Sequence, residues 1–274
     1  PTAALHKDLS EPNRTAVRAD RFMERMLDDV AFSPDFVGIS INFSNGHRTS
    51  LELARLCKER WPQSPVVAGG VHATTFTRRV IEHPSIDYVV RGPADTAFTD
   101  LLECLMRQQS PLGIPGVVTD PELTSSIALP LADLNSIPAY PYDLIDMEYL
   151  VRNDSTSPVD EPGSRTGILF MSRGCPFGCS YCSADKVHGR KVAFASAEKA
   201  VDQIEYLIKT FGVNQINIVD DLFGANRRHF SEFFRLIDER SLKFRLNVPS
   251  GLSIAVFDEA MIDVLVEHGR QAVY

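Results

Sequence analysis

The sequence predicts an α/β protein of two units, a doubly wound parallel sheet followed by the first half of a (β/α) barrel. Three observations carry this. Short apolar runs alternate with amphipathic helical patterns in both halves, as parallel strands joined by helices require. Most of these runs close in Gly, Asn or Asp. A polar stretch punctuated by Pro130, Pro138 and Pro141 separates the two series.

The first unit spans residues 1–120. Phe36–Ile41 is apolar throughout, as in a strand buried on both faces. A helix is expected from about Ser50 to Arg60, with Leu53, Leu56 and Cys57 on one face. Pro65–Ala68 is the next strand, running into Gly69-Gly70, and Tyr88–Val90 another, running into Arg91-Gly92. Asp95 then opens a helix carrying Phe98, Leu101, Leu102 and Leu105. Ligands of such sheets bind beyond the carboxyl ends of the strands. Three loops emerge there: 42–47, 69–74 and 91–96.

Residues 121–164 read as a linker, and the second unit spans 165–274. Gly167–Met171 is its first strand. Ser196 is a good N-cap for a helix with Val201, Ile204 and Ile208 on one face and Gly212 as its stop. Gln215–Val219 is the second strand, closing at Asp220-Asp221. Asn226 caps a helix with Phe230, Phe234 and Ile237 on its apolar face, and Phe244–Val248 is the third strand. A further helix runs from about Asp258 to His268, ending at Gly269, and Gln271–Tyr274 reads as the opening of a fourth strand. With no initiator methionine either, the chain reads as a fragment of a longer one.

Bulk composition narrows the function. The 274 residues are 44% hydrophobic and 23% charged, which suits a sizeable core. Net charge is −8 without a basic run, which argues against nucleic acid as a partner. No apolar stretch approaches the ~20 residues of a membrane span. Five cysteines and no signal peptide predict a reducing, cytoplasmic setting.

Chemistry concentrates in Cys175-Pro-Phe-Gly-Cys179-Ser-Tyr-Cys182, just after the first strand of the second unit. A cubane iron–sulfur cluster normally takes four thiolates. Three from one loop leave one iron open to a substrate or cofactor. Ferredoxin runs are spaced differently. The competing reading is a structural Cys3His zinc site using His188. Cys57 and Cys104 fall in helical patterns and read as buried small hydrophobes.

This C-x3-C-x2-C run, between a strand and a helix, resembles the signature of radical S-adenosylmethionine (AdoMet, SAM) enzymes. The resemblance implies a 4Fe-4S cluster on Cys175, Cys179 and Cys182. Its open iron would chelate the amino and carboxylate groups of AdoMet, which the reduced cluster cleaves to a 5′-deoxyadenosyl radical. It also implies a partial barrel, an external electron donor of flavodoxin or ferredoxin type, and Tyr181 near the adenine. Asp220-Asp221-Leu222-Phe223 resembles the Asp-Asp-x-Phe run of cobalamin-dependent members. A carboxylate there suits the AdoMet ammonium, without choosing between Asp220 and Asp221. Helix capping by Asp221 is the alternative. Ser250 lies in the region that contacts AdoMet in the family. Arg173 reads as a support of the loop.

The first unit resembles the Rossmann-like cobalamin-binding domain that precedes many radical AdoMet domains. The matching pieces are Asp35–Ser40, Gly69–Thr74 and Val89–Gly92. The resemblance implies cobalamin contacts at Ser40, Asn42, Gly69, Gly70, His72, Arg91 and Gly92, where glycines let the backbone approach a bulky corrin. The family's glycine–glutamate pair after Arg-Gly is replaced by Pro93-Ala94-Asp95, and the Asp-x-His-x-x-Gly motif is absent. Together the resemblances imply methylation of an unactivated carbon on a small-molecule or peptide substrate. The alternatives are cobalamin-dependent rearrangement or cyclisation without net methylation, and a non-catalytic zinc-stabilised binding protein. A sheet that binds nothing is the bland alternative for the first unit, and a structural loop histidine for His72.

Overall fold

β-Branched and small residues in Val66-Val67-Ala68 favour a strand covered on both faces, and all three are buried. The computed structural model describes residues 19–123, 133–153 and 163–268. These fall into two compact units that divide between residues 129 and 130.

In the first unit, helix α1 (Ala19–Asp28) precedes strand β1 (Val37–Ser40), helix α2 (His47–Arg60) and strand β2 (Val66–Gly69). Two single-turn helices follow, α3 (Val71–Thr75) and α4 (Thr77–Ile81). Strand β3 (Tyr88–Val90), helix α5 (Ala97–Met106) and strand β4 (Val117–Val118) complete it. The strands lie in the order β1-β2-β3-β4. β1 pairs with β2 and β2 with β3 in parallel, whereas β4 runs antiparallel to β3. The expected all-parallel sheet therefore ends in a reversed edge. The chain enters β4 beside the exit of β3, where the Arg91 N–H donates to the Gly116 carbonyl at 2.9 Å. Gly113 and Gly116, both at positive φ, make that turn. A two-residue strand is too short to leave a periodic signal. α2 also starts three residues before the expected Ser50, because a 3-10 turn over Ser44–Gly46 leads into it.

In the second unit, residues expected as linker pack on the barrel instead. Met147 and Val151 of helix α6 (Met147–Arg152) belong to the core of this unit. Lys199 donates to the carbonyls of Leu134 (2.8 Å), Asn135 (3.2 Å) and Ile137, and Asn135 Oδ1 accepts from the Ser196 N–H at 2.6 Å. No periodicity betrays such docking, since it rests on backbone carbonyls. Pro130 and most of the polar stretch after Asn153 lie outside the described residues.

The barrel strands are β5 (Thr166–Leu169), β8 (Gln215–Ile218) and β9 (Arg245–Asn247), parallel and in that order. A small hairpin, β6 (Ser172–Arg173) with β7 (Ala193–Phe194), brackets the cysteine loop and helix α7 (Ala184–Val187). Helix α8 (Ala197–Phe211) begins where Ser196 Oγ accepts from the Lys199 N–H and stops at left-handed Gly212. Asn226 caps helix α9 (Arg227–Glu239) in the same way, and helix α10 (Glu259–His268) follows. Gly167 lets α8 pack close, because a Cβ there would lie 3.0 Å from Leu207. Phe230 and Phe233 of α9 are fully buried, each burial contributing roughly 1.5–3 kcal/mol. The expected stop at Gly269 and the fourth strand, Gln271–Tyr274, lie outside the described residues.

Candidate functional site

The cysteine loop leaves β6 through Gly174, whose φ is +98°. A Cβ at that glycine would stand 2.2 Å from the Lys191 carbonyl oxygen, so no other residue fits the hairpin there. Cys175 is half-buried; Cys179 and Cys182 are exposed, and all three are free thiols. The Cys182 N–H donates to the Cys179 carbonyl at 3.1 Å, which curls the loop. A Cβ on Gly178 would meet the Arg190 guanidinium at 2.5 Å, so that bare backbone is a seat for Arg190. Tyr181 is 91% exposed, and the neighbouring Cys179 raises the pKa of its phenol. Three unpaired thiols on one outward-facing loop suit an iron–sulfur cluster as a donor set.

The two aspartates after β8 do something the sequence did not suggest. Asp220 is 2% exposed. Its Oδ1 accepts from the Met171 N–H at 2.8 Å and its Oδ2 from the Ser172 hydroxyl at 2.6 Å. Burial pushes its carboxyl up to about 6, against the pull of those donors. Each oxygen takes one donor from the segment joining β5 to β6, so Asp220 braces the entry to the cysteine loop. The separation of 48 positions between Ser172 and Asp220 hides this pairing from any local pattern. Asp221 turns the other way. Its Oδ2 accepts from the Gly174 N–H at 2.7 Å and stands 3.9 Å from His188 Nε2. His188, the remaining ligand of the zinc alternative, thus points this nitrogen at a carboxylate. Asp221 caps no helix: Asn226 does that for α9. Arg173 sits in β6 opposite Ala193. Ser250 is exposed in the turn after β9, where the Gly251 N–H donates to the Val248 carbonyl at 2.9 Å.

In the first unit, the expected cobalamin contacts gather at the carboxyl ends of the parallel strands. Ser40 ends β1, Gly69 ends β2, and Arg91-Gly92 follow β3. Asn42 is exposed, and its Oδ1 is 3.4 Å from the Val71 N–H. Gly70 has φ +95°, and a Cβ there would approach Asn42 Oδ1 to 2.6 Å and the Ile41 carbonyl to 2.7 Å. The Gly92 N–H donates to Thr74 Oγ1 at 2.9 Å. These crossings leave an edge of bare backbone, which suits a flat, bulky group.

His72, expected either as a cobalamin contact or as a structural loop histidine, is tied into the loops by both ring nitrogens. It is buried, with Nδ1 2.9 Å from Ser44 Oγ and Nε2 2.9 Å from His47 Nδ1. Its ring also packs on Phe76. With both nitrogens engaged it offers no lone pair to a metal, so its role is to tie loops together. Ser44 and His47 were missed because nothing in their spacing links them to a histidine 25 or more residues away.

Comparison with known proteins agrees with this division. The B12 binding domain model matches residues 14–102, and the radical SAM superfamily model matches 169–274. Cytidylyl-2-hydroxyethylphosphonate methyltransferase of Streptomyces wedmorensis is 28% identical over 93% of this chain and 53% of its own length. Anaerobic magnesium-protoporphyrin IX monomethyl ester cyclase of Cereibacter sphaeroides is 30% identical over 81% of this chain and 36% of its own. The chain spans about half the length, or less, of these curated relatives. The radical SAM methyltransferase TsrM from Kitasatospora setae, solved with cobalamin and a [4Fe-4S] cluster bound, shares the fold at TM-score 0.68. Its identity is 20%, over 92% of this chain and 51% of that one. The class is therefore an α/β protein with a B12-binding domain followed by a radical SAM domain. The chain belongs to the cobalamin-dependent radical SAM family.

Proposed function

We propose that the protein methylates an unactivated carbon of a small-molecule or peptide substrate. The observation that carries this is the free-thiol loop Cys175–Cys182 following a B12-binding domain in the same chain. The methyltransferase relatives support the reaction class.

When bound, the cluster and AdoMet supply one-electron carbon–sulfur cleavage, and cobalamin supplies the methyl group. The chain's own residues position and shield. Cys175, Cys179 and Cys182 would hold the cluster. Tyr181 and Ser250, both exposed near the strand ends, would contact AdoMet. Ser40, Asn42, Gly69, Gly70, Arg91 and Gly92 would cradle the corrin, while His72 braces the loops behind them. Residues 1–129 serve as the cobalamin domain and 130–274 as the radical domain. An external flavodoxin- or ferredoxin-like protein supplies electrons. No helix among the described residues is long and apolar enough to cross a membrane.

A second reading, rearrangement or cyclisation without net methylation, is favoured by the cyclase relative. Product analysis separates the two. Anaerobic turnover that yields S-adenosylhomocysteine together with 5′-deoxyadenosine supports methyl transfer, and deoxyadenosine alone supports cyclisation. Purified protein with no corrin absorbance, or with zinc in place of iron and sulfide, would overturn both.

A further inference from the structure

We propose that Asp221 is the positioning residue of the cysteine loop, bonding its entry and facing its exit with a single carboxylate oxygen. The idea rests on the radical SAM reading for its consequence, since the loop is the one that would carry the cluster. Its geometry stands independently.

The loop needs an anchor. Between Gly174 and Gly189 its regular structure amounts to the single-turn helix α7 and the turn at Cys182. The β6–β7 hairpin closes its base with two residue pairs. Asp221 reaches that base from the end of β8, the barrel strand paired with β5. Its Oδ2 takes the Gly174 N–H at 2.7 Å, immediately before Cys175. The same oxygen faces His188 Nε2 at 3.9 Å, at the C-terminus of α7 and beyond Cys182. One carboxylate therefore spans both ends of the segment bearing all three thiols. A bond from a backbone amide to a carboxylate is charge-assisted and stronger than a neutral one. Next door, Asp220 clamps Met171 and Ser172. The paired aspartates thus divide the work: Asp220 fixes where the strand ends, and Asp221 fixes how far the loop opens. Partners that orient metal-binding groups commonly alter affinity by about 10–100-fold when removed.

Two variants test this, with readouts besides turnover. In iron-free protein, Asp221→Ala should raise amide hydrogen exchange across 172–192 by about tenfold or more, while β8 and α9 keep their protection. Asp221→Asn keeps an acceptor for Gly174 but loses the charge toward His188. It should leave exchange over 172–178 near wild type and speed it over 183–192. After anaerobic reconstitution, Asp221→Ala should lose iron to a chelator roughly 10–100-fold faster. The electron paramagnetic resonance spectrum of its reduced cluster should be altered before AdoMet is added. Wild-type loop exchange in Asp221→Ala overturns the proposal. So does an unchanged spectrum that loses only its response to AdoMet, which would make Asp221 an AdoMet ligand. If Asp221→Ala does not fold, the split in exchange shown by Asp221→Asn decides, and uniform wild-type exchange overturns the idea. Wild-type protein that takes up no iron would sink the family reading separately, while exchange in the iron-free protein still judges Asp221.

Discussion

His72 and His47 share one hydrogen bond, Nε2 to Nδ1 at 2.9 Å, deep in the loop edge of the B12-binding sheet. Only one of the two facing nitrogens can carry the proton between them. Burial, His47 and Arg79 together hold the His72 pKa below its ordinary 6.5. A histidine with a depressed folded pKa contributes stability that is complete above about 6.5 and is lost as pH falls toward the folded value. Thermal midpoints should therefore drop on acidification from pH 7.5 to 5.5. His72→Phe should show a shallower drop, with the remainder carried by His83 and His229, whose values are also lowered by burial, and partly offset in both proteins by Asp220, whose raised carboxyl pKa of about 6 adds stability on acidification. Equal slopes for variant and wild type would remove His72 from the account.

The same pair predicts a spectroscopic silence. Because both His72 nitrogens are occupied, cobalt(II) in the bound corrin should show no nitrogen splitting from His72. Electron paramagnetic resonance on protein labelled with 15N at histidine checks this, and a label-dependent splitting that disappears in His72→Phe would make His72 a ligand.

Asp220 separates charge from shape. Asp220→Ala strands the Met171 N–H and the Ser172 hydroxyl in a buried place and should cost about 2–4 kcal/mol in urea unfolding. Asp220→Asn keeps the volume, and the Ser172 hydroxyl can turn to accept from the new amide. With the cost of burying a charge also removed, the loss should stay within about 1 kcal/mol. Equal losses for the two variants would mean that the hydrogen bonds do not matter.

Two glycines with similar φ make an internal control. Gly70→Ala forces a Cβ onto Asn42 and Ile41, whereas Gly113→Ala, at φ +92°, meets nothing within 4 Å. Both carry a positive-φ strain of about 1–3 kcal/mol, and Gly70, with ψ at 177°, lies in a region essentially confined to glycine. Only Gly70→Ala should lose more, by a further 1–3 kcal/mol or so, and weaken cobalamin binding. Matched melting temperatures would contradict the crowding.

Lys199 holds the segment before the barrel by three carbonyls, those of Leu134, Asn135 and Ile137. Lys199→Met should leave the barrel folded and expose residues 133–141 to protease. Digestion followed by mass spectrometry should find cleavage there several-fold faster than in wild type. Unchanged cleavage would show that Tyr142 and α6 suffice to dock the segment.

Much of this molecule was legible from residues in order. The C-x3-C-x2-C spacing, the caps at Ser196 and Asn226, the stop at Gly212 and the apolar strands are all local, because thiolate chelation, capping and strand burial are decided within a few neighbours. The same locality explains what was not legible. Asp220 follows a strand, where ligands bind, and its hydrogen bonds to Met171 and Ser172 leave no trace in its neighbours. The stretch 133–153 looked like a linker because Pro138 and Pro141 punctuate it, although Met147 and Val151 complete a core. The reversed strand β4 was invisible because two residues carry no period.

The spacing of Cys175, Cys179 and Cys182 by itself marked a thiolate site, and its resemblance to the radical AdoMet signature implied the class of chemistry. Tertiary structure alone decided which polar groups are free to act. Hydrogen bonds such as Ser172 to Asp220, Gly174 to Asp221 and His47 to His72 join residues 25 to 48 positions apart. A side chain's availability depends on what the fold brings against it, and chain order does not encode that contact.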